Sequence, residues 1–321
     1  MFEVGPIEWL QGFASPIADG LMAGISELGY TPVYAALVLF LGFVVRLRPA
    51  LGLLFGMLLA GIATEGLKIS VGFPRPEHVF QLQASSPQAP ETFDAAGFWS
   101  LPSAEARAAV RATPGISYGF PSGHVTAAMA FCLGAALFFR WRLFWVLTLV
   151  WPVLMALSRM YLARHFLADV LGGLVLGIVM ATGAVGLVRW LDSTGSADES
   201  PHRRRLALFC GAVLALAVGA LWVPLLDAEN VGRLLALAGV FVWLLVKGFP
   251  VEAGGFWPRA GRFIVAVLLY VGFSRLADWG LESTGWEDQR LAILAATTLA
   301  MGGTLIGAVA LGRRLRWYRA A

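Results

Sequence analysis

The feature that most limits how this chain can fold is a series of nine long apolar runs. Each run has about 17 to 22 residues, the length that an α-helix needs to cross a hydrocarbon layer of about 30 Å. Charged residues make up 14% of the chain, whereas about a quarter of a soluble domain is charged. The sequence therefore predicts an all-α fold, a polytopic bundle of transmembrane helices. The spans are expected at about 30–46, 50–70, 122–139, 143–159, 165–188, 206–225, 231–247, 261–279 and 291–311.

Polar stretches divide these spans into parts. An amphipathic helix over residues 6–28, broken once at Pro16, is expected to lie along the membrane surface, because its apolar residues recur at helical spacing. The first 30 residues contain no Lys or Arg, so a cleaved signal peptide is not expected. We predict four parts: an interfacial segment at 1–29, a transmembrane core at 30–190, a cytoplasmic linker at 191–205 and a four-helix unit of unassigned role at 206–321.

The charges between the spans predict an orientation. If every span crosses the membrane, the basic residues fall on one side, which is then the cytoplasmic side. The N-terminus and the long loop at 72–118 would lie outside, the loop with a short helix at 103–112 that carries Arg107 and Arg111. We expect a multi-pass protein of a bacterial inner membrane with a cytoplasmic C-terminus. The basic residues used are Arg46, Arg48, Arg140, Arg142, Arg189, Arg203, Arg204, Arg205, Lys247, Arg259, Arg262, Arg313, Arg314, Arg316 and Arg319.

Three groups of polar residues lie at the outer ends of spans two to five. Ionisable side chains are costly near lipid, so such a group suggests a functional site. If the segment after Ala163 is helical, His165 and Asp169 share one face, and the carboxylate can fix the orientation of the imidazole. The groups are Lys68 with Arg75-Pro76, then Pro121-Ser122-Gly123-His124, then Ser158-Arg159 with His165 and Asp169.

These residue types together suit an anion with several oxygens. Lys68, Arg75 and Arg159 would repel one another unless they shared a ligand such as a phosphoryl group. Ser122 and Gly123 open a helix whose free N–H groups favour the same anion. Two histidines allow one ring to attack phosphorus while the other protonates the departing oxygen. Singly, each residue has a structural interpretation as well: Lys68 as a snorkelling lysine and Ser122 as a helix cap.

In order and spacing, the patterns K-x6-R-P, P-S-G-H and S-R-x5-H-x3-D resemble the signature of the type 2 phosphatidic acid phosphatase superfamily. The resemblance covers roughly residues 30–190. It implies that His165 is a nucleophile that forms a phosphohistidine, that Asp169 orients it, and that His124 is the general acid and later the base. It also implies five phosphate-binding residues: Lys68, Arg75, Ser122, Gly123 and Arg159.

The resemblance implies a hydrolase of lipid metabolism, a phosphatase that acts on a lipid phosphomonoester or diphosphate headgroup at the outer leaflet. Its partners would be that lipid and the surrounding membrane lipids, and not nucleic acid. No metal or other cofactor is expected, since the outer segments lack a carboxylate cluster suited to Mg²⁺ or Zn²⁺.

Two other functions stay open at this point. One is a lipid phosphotransferase that uses the same site. The other is a non-enzymatic lipid transporter, although transporters place ionisable groups near the midplane of the membrane. Two residues near the site also have open roles. Glu65 would tune or neutralise Lys68, and Arg164 would be a solvated loop charge or a contact to a diphosphate.

Overall fold

The computed structural model describes residues 1–77, 99–113, 115, 117–192, 200–252 and 255–319. Within these ranges the fold is all-α apart from two strands of two residues each, β1 (Val251–Glu252) and β2 (Tyr318–Arg319), which pair antiparallel. The helices, numbered in chain order, are α1 (Gly5–Gln11), α2 (Pro16–Glu27), α3 (Thr31–Phe40), α4 (Leu47–Val71), α5 (Ala104–Ala112), α6 (Gly123–Phe139), α7 (Arg142–Tyr161), α8 (Leu167–Asp192), α9 (Ser200–Trp222), α10 (Ala228–Lys247), α11 (Phe256–Thr284) and α12 (Arg290–Arg314).

Each of the nine predicted spans corresponds to a helix, and this confirms the fold class. In the described part of the chain, seven helices are long and apolar enough to cross a membrane: α4 and α7 to α12. The span predicted at 122–139 is α6, which has 17 residues. The span predicted at 30–46 is α3, whose 10 residues continue into a π-helical turn at Leu41–Val45, and it reaches spanning length only together with α2. The number of crossings and their orientation remain predictions.

The N-terminal segment differs from its prediction, because residues 6–28 form two helices rather than one. Ser15 accepts a hydrogen bond from the amide of Ala18 and so caps a new helix that begins at Pro16. Proline suits this first position, where its missing N–H would have no partner in the helix. Both α1 and α2 pack against α7. Placement at the membrane surface remains a prediction.

The long loop and the linker are only partly within the described ranges. The predicted short helix is confirmed as α5, with Ser103 as its cap, whereas residues 78–98 lie outside the described residues. In the predicted linker, α9 already begins at Ser200, and residues 193–199 lie outside the described ranges. The division into four parts remains a prediction.

The chain forms two compact units, of which the first comprises Met1–Val33, Ala63–Ala136 and Arg140–Ala181. An aromatic cluster packs this unit together behind the candidate site. Phe2 lies at its centre, with ring centroids 4.9 Å from Phe73 and 5.9 Å from Phe166. The carbonyl of Met1 also accepts a hydrogen bond from the amide of Ala168 at 3.2 Å. The chain start is thus bound to the segment that carries the predicted nucleophile.

The second unit comprises Tyr34–Ile62, Leu137–Phe139 and Thr182–Ala321. Within it, α10 and α11 both pack against α12. Arg262, one of the basic residues used for the orientation, lies within α11, which begins at Phe256, and its side chain is fully buried. Its guanidinium donates to the carbonyl of Trp317 and lies 4.8 Å from the centre of the Tyr318 ring. Packing against this aromatic ring accommodates the buried cation.

Candidate active site

The three groups of polar residues meet around one cavity of about 540 Å³ in the first unit. Six of the eight predicted site residues line this cavity, and the other two, Ser122 and Asp169, are fully buried. The lining residues are Ala23, Ser26, Glu27, Tyr30, Lys68, Arg75, Gly123, His124, Arg159, Leu162, Arg164 and His165. Residues as far apart in the sequence as Ala23 and His165 thus share one site.

His165 is held from behind by Asp169. The Nδ1 atom of His165 lies 3.3 Å from Oδ2 of Asp169, and both side chains are buried. The expectation that the two residues share a helical face needs correction, because α8 begins at Leu167 and His165 precedes it. Asp169 lies in the first turn of α8, and its Oδ2 also accepts a hydrogen bond from the amide of Phe166 at 2.9 Å. This back-directed bond, typical of a helix cap, brings the carboxylate to the imidazole.

A tight turn places His165 at the cavity. The amide of Arg164 donates to the carbonyl of Arg159, and Ala163 adopts a left-handed conformation with φ of 52°. This is the pattern that commonly ends a helix, here α7. The chain reverses direction within a few residues, so that Arg159 and His165 line the same cavity.

The environment of His165 favours its neutral form. Burial lowers the pKa of His165 well below 6.5, and the positive charges of Arg75, Arg159 and Lys68 lower it further. A neutral imidazole keeps a lone pair on one nitrogen. With Nδ1 directed to Asp169, that nitrogen is Nε2, and the ring can act as a nucleophile.

The start of α6 forms a second side of the cavity. Ser122 occupies the cap position, but its side chain makes no capping bond, and its buried Oγ has no partner among the described residues. The amide of Ser122 donates to the carbonyl of Asp169 at 2.9 Å, which joins the start of α6 to that of α8. A Cβ atom on Gly123 would lie 3.6 Å from Nζ of Lys68, so the backbone here is close to a cation. The helix N-terminus and the lysine can therefore bind one anion together.

The three predicted cations lie at this cavity, each with a local partner. Lys68 pairs with Glu65 at 2.6 Å, so the tuning or neutralising partner expected in Glu65 is present. Arg75 donates to the carbonyl of Tyr118 at 3.2 Å. Arg159 donates through Nη1 to Oγ of Ser26 at 2.6 Å. These bonds orient the cations without removing them from the cavity.

Glu77 links two of the arginines at the cavity. Its Oε1 lies 3.4 Å from Nη1 of Arg75, and its Oε2 accepts a hydrogen bond from Arg164. Arg164 is therefore a half-exposed loop charge that pairs with Glu77 and also lines the cavity.

Four site residues were missed by the sequence analysis: Ser26, Glu27, Tyr30 and Glu77. The first three belong to α2 and the turn after it, which carry no motif. Only the packing of α2 against α7 brings them to the cavity. Glu77 offered a signal, since it directly follows the pair Arg75-Pro76.

The apolar helices, together with a cavity that combines two histidines with several cations, are typical of a membrane protein of the phosphatase type. Residues 49–193, somewhat less than half of the chain, match the family model described as the PAP2 superfamily, and this match supports membership in that superfamily. The match does not include residues 1–48 or 194–321. No curated protein and no solved structure matches the chain.

Proposed function

We propose that this protein is a membrane lipid phosphatase that hydrolyses a phosphomonoester or diphosphate headgroup through a phosphohistidine. The observation that supports this most is the arrangement around the cavity. His165 and His124 line it together with Lys68, Arg75 and Arg159. Such a set can hold a phosphoryl group, attack it and protonate what departs.

In the first step, Nε2 of His165 attacks phosphorus while the bond from phosphorus to the lipid oxygen breaks. His124 gives its proton to that departing oxygen and becomes neutral. In the second step, His124 takes a proton from water as the water oxygen attacks phosphorus. The bond between phosphorus and nitrogen then breaks, and the reaction releases phosphate and free His165.

The cations and the start of α6 stabilise the charge in both steps. Lys68, Arg75 and Arg159 face the oxygens of the transferred group, where negative charge is spread in the transition state. The backbone N–H groups from Gly123 onward at the start of α6 add dipoles whose positive ends favour the anion, whereas the N–H of Ser122 is bonded to the carbonyl of Asp169. The three cationic side chains are already held by hydrogen bonds to the protein, so they need to reorient little during the reaction.

The substrate is proposed to be a lipid because the cavity belongs to a helical membrane protein. A lipid tail can stay in the bilayer while the phosphate headgroup enters the cavity from the side. The charge pattern of the loops supports an outward-facing site.

The test is a phosphate-release screen of the purified protein in detergent against about six lipid phosphates. We expect at least one substrate to be hydrolysed, and His165→Ala to lose roughly a thousandfold or more of that activity. Size-exclusion profiles of both proteins check that the variant is folded. Following labelled phosphate would show transfer to a second lipid instead of water, which would make the enzyme a phosphotransferase. Undiminished release by the variant would exclude His165 as the nucleophile.

A further inference from the structure

The turn after α2 forms a third side of the cavity, and it lies outside the segment that matches the family. We call residues 26–30 the N-terminal wall. Ser26 is buried and accepts the hydrogen bond from Arg159. Two further bonds fix the helix before it: Ser158 donates to the carbonyl of Met22 at 2.6 Å, and Tyr161 donates to Asp19 at 2.5 Å. The N-terminal wall is thus anchored to α7 on both sides of Arg159.

The two histidines of the cavity are held by different means. His165 has a carboxylate, Asp169, at 3.3 Å. In contrast, Nε2 of His124 is buried and has no hydrogen-bond partner among the described residues. A ring without such a partner is oriented by the atoms packed against it.

Two residues of the N-terminal wall pack against the His124 ring. The ring of Tyr30 lies nearly perpendicular to the imidazole, with 4.8 Å between the centroids and 78° between the planes. Gly29 is so close that a Cβ atom there would lie 2.5 Å from Cδ2 of His124 and 2.8 Å from Cε of Met155. Met155 is fully buried, which limits how far it can yield. Since the φ of Gly29 is outside the left-handed region, space rather than backbone strain requires glycine here.

We propose that Gly29 and Tyr30 are positioning residues that set the orientation of the His124 imidazole for proton transfer. The proposal rests on the proposed function, in which His124 protonates the departing oxygen. Residues outside the family match would then complete the catalytic site. A shift of the imidazole by a few tenths of an ångström would lengthen the path of the proton to the leaving group.

The rates with two substrates that differ in their leaving group distinguish an effect on the orientation of His124 from a general loss of structure. An alkyl phosphate releases a strongly basic alkoxide, which must be protonated as it departs. A 4-nitrophenyl phosphate releases a stable phenolate that needs little protonation. A misplaced general acid therefore slows the alkyl substrate far more than the aryl substrate, whereas partial unfolding slows both equally.

The first variant is Gly29→Ala, with Gly24→Ala in α2 as its matched control. A Cβ atom at Gly24 would meet nothing within 4 Å, so replacing this glycine with alanine should not disturb the cavity. We expect Gly29→Ala to lower the rate with the alkyl phosphate about 10- to 100-fold and the rate with the aryl phosphate less than about threefold. Gly24→Ala should keep both rates. An equal loss with both substrates in Gly29→Ala would overturn the proposal.

The second variant is Tyr30→Leu, with Tyr30→Phe as the conservative replacement. Tyr30 is 47% exposed, so either change should leave the fold intact. We expect Tyr30→Leu to lower the alkyl rate relative to the aryl rate, and Tyr30→Phe, which keeps the ring contact, to restore that ratio. A ratio in Tyr30→Leu equal to that of the wild type would contradict the inference.

The wild type and His165→Ala, measured in the same assay, separate this inference from the proposed function. If the wild type cleaves neither substrate nor any lipid phosphate, the proposed function is wrong. A different outcome would contradict only the role of Gly29 and Tyr30. In that outcome the wild type is active and His165→Ala is inactive, but all variants of the N-terminal wall have the leaving-group ratio of the wild type.

Discussion

The Oδ2 atom of Asp169 lies 3.3 Å from Nδ1 of His165 and accepts a hydrogen bond from the amide of Phe166 at 2.9 Å. One carboxylate oxygen thus fixes both the start of α8 and the imidazole in front of it. The backbone of Asp169 extends this arrangement, since its carbonyl accepts from the amide of Ser122. His165 and the start of α6 are therefore positioned by the same residue.

Replacing Asp169 with Asn should impair His165 while leaving the shape of the site nearly unchanged. An amide donates where the carboxylate accepts, so it would favour the tautomer in which Nε2 carries the proton and cannot attack. We expect phosphate release to fall roughly 100- to 10,000-fold. Rapid-quench measurement of the acid-labile phosphoenzyme should show its formation slowed by a similar factor.

The matched control for that variant is Asp288→Asn, an exposed change in the loop between α11 and α12. It should keep the activity of the wild type. Full phosphoenzyme formation in Asp169→Asn would show that the carboxylate does not select the tautomer of His165.

His165 should remain neutral at a pH where an ordinary histidine becomes protonated. Burial, and then the positive charges of Arg75, Arg159 and Lys68, lower the pKa of His165 well below 6.5. Because the lowered pKa favours the free base, the nucleophile stays available as the pH falls through 6.5, and loss of kcat/KM from its protonation comes only at lower pH.

NMR of histidine-labelled protein without substrate would measure this directly. The chain has four histidines, and His165→Asn assigns the signal of interest by its disappearance. We expect that signal to keep the shift of a neutral ring as the pH falls from 8 through 6.5, and Arg75→Gln to move its titration upward. A midpoint at or above 6.5 in the wild type would contradict the effect of burial.

The helical fold and the grouping of the polar site residues could be predicted because both depend on local pattern. Apolar runs of spanning length give the helices, and the residue types at Lys68, His124 and His165 indicate phosphoryl transfer whatever the path of the chain between them. The contributions of Ser26 and Tyr30 could not be predicted in this way. They depend on how α2 packs against α7, and no spacing in the sequence encodes that packing.

Two local errors had physical causes of the same kind. Pro16 was treated as a single break in one helix, whereas the cap at Ser15 makes it the start of a second helix. His165 was expected on one helical face with Asp169, whereas the hydrogen bond from the amide of Phe166 to Asp169 starts α8 after His165.

The guanidinium of Arg159 should not be replaceable by an ammonium. Its Nη1 is used by Ser26, and the planar fork leaves further donors for the phosphate, which a lysine with one charged nitrogen cannot match. We expect Arg159→Lys to lower kcat/KM about 10- to 100-fold and to weaken inhibition by vanadate in parallel. Arg142→Lys, at the exposed start of the same helix, is the matched control and should change neither quantity. Equal vanadate inhibition in Arg159→Lys and the wild type would show that Arg159 does not bind the phosphoryl group.

Phosphate release should survive EDTA and be blocked by vanadate. The charge that a metal ion often neutralises in phosphoryl transfer would here be neutralised by Lys68, Arg75 and Arg159. Vanadate adopts the five-coordinate geometry of the reacting phosphorus and would bind His165. The measurement is the initial rate with and without each reagent, with Mg²⁺ added back after EDTA. A strict requirement for Mg²⁺ would rule out the proposed mechanism.

Phe2 should contribute to stability far more than its place near the chain start suggests. Its ring is 4% exposed and packs edge-on against Phe73 and Phe166, and Phe166 directly follows the nucleophile. Truncation to Ala would leave a cavity in this cluster, so Phe2→Ala should lower the free energy of unfolding by about 3 kcal/mol. Phe13→Ala is the matched control, because that ring is 65% exposed, and it should cost much less. Thermal unfolding in detergent compares the two variants. Phosphate release by Phe2→Ala should fall only in proportion to the loss of folded protein. Equal unfolding midpoints for the two variants would show that the cluster around Phe2 does not stabilise the first unit.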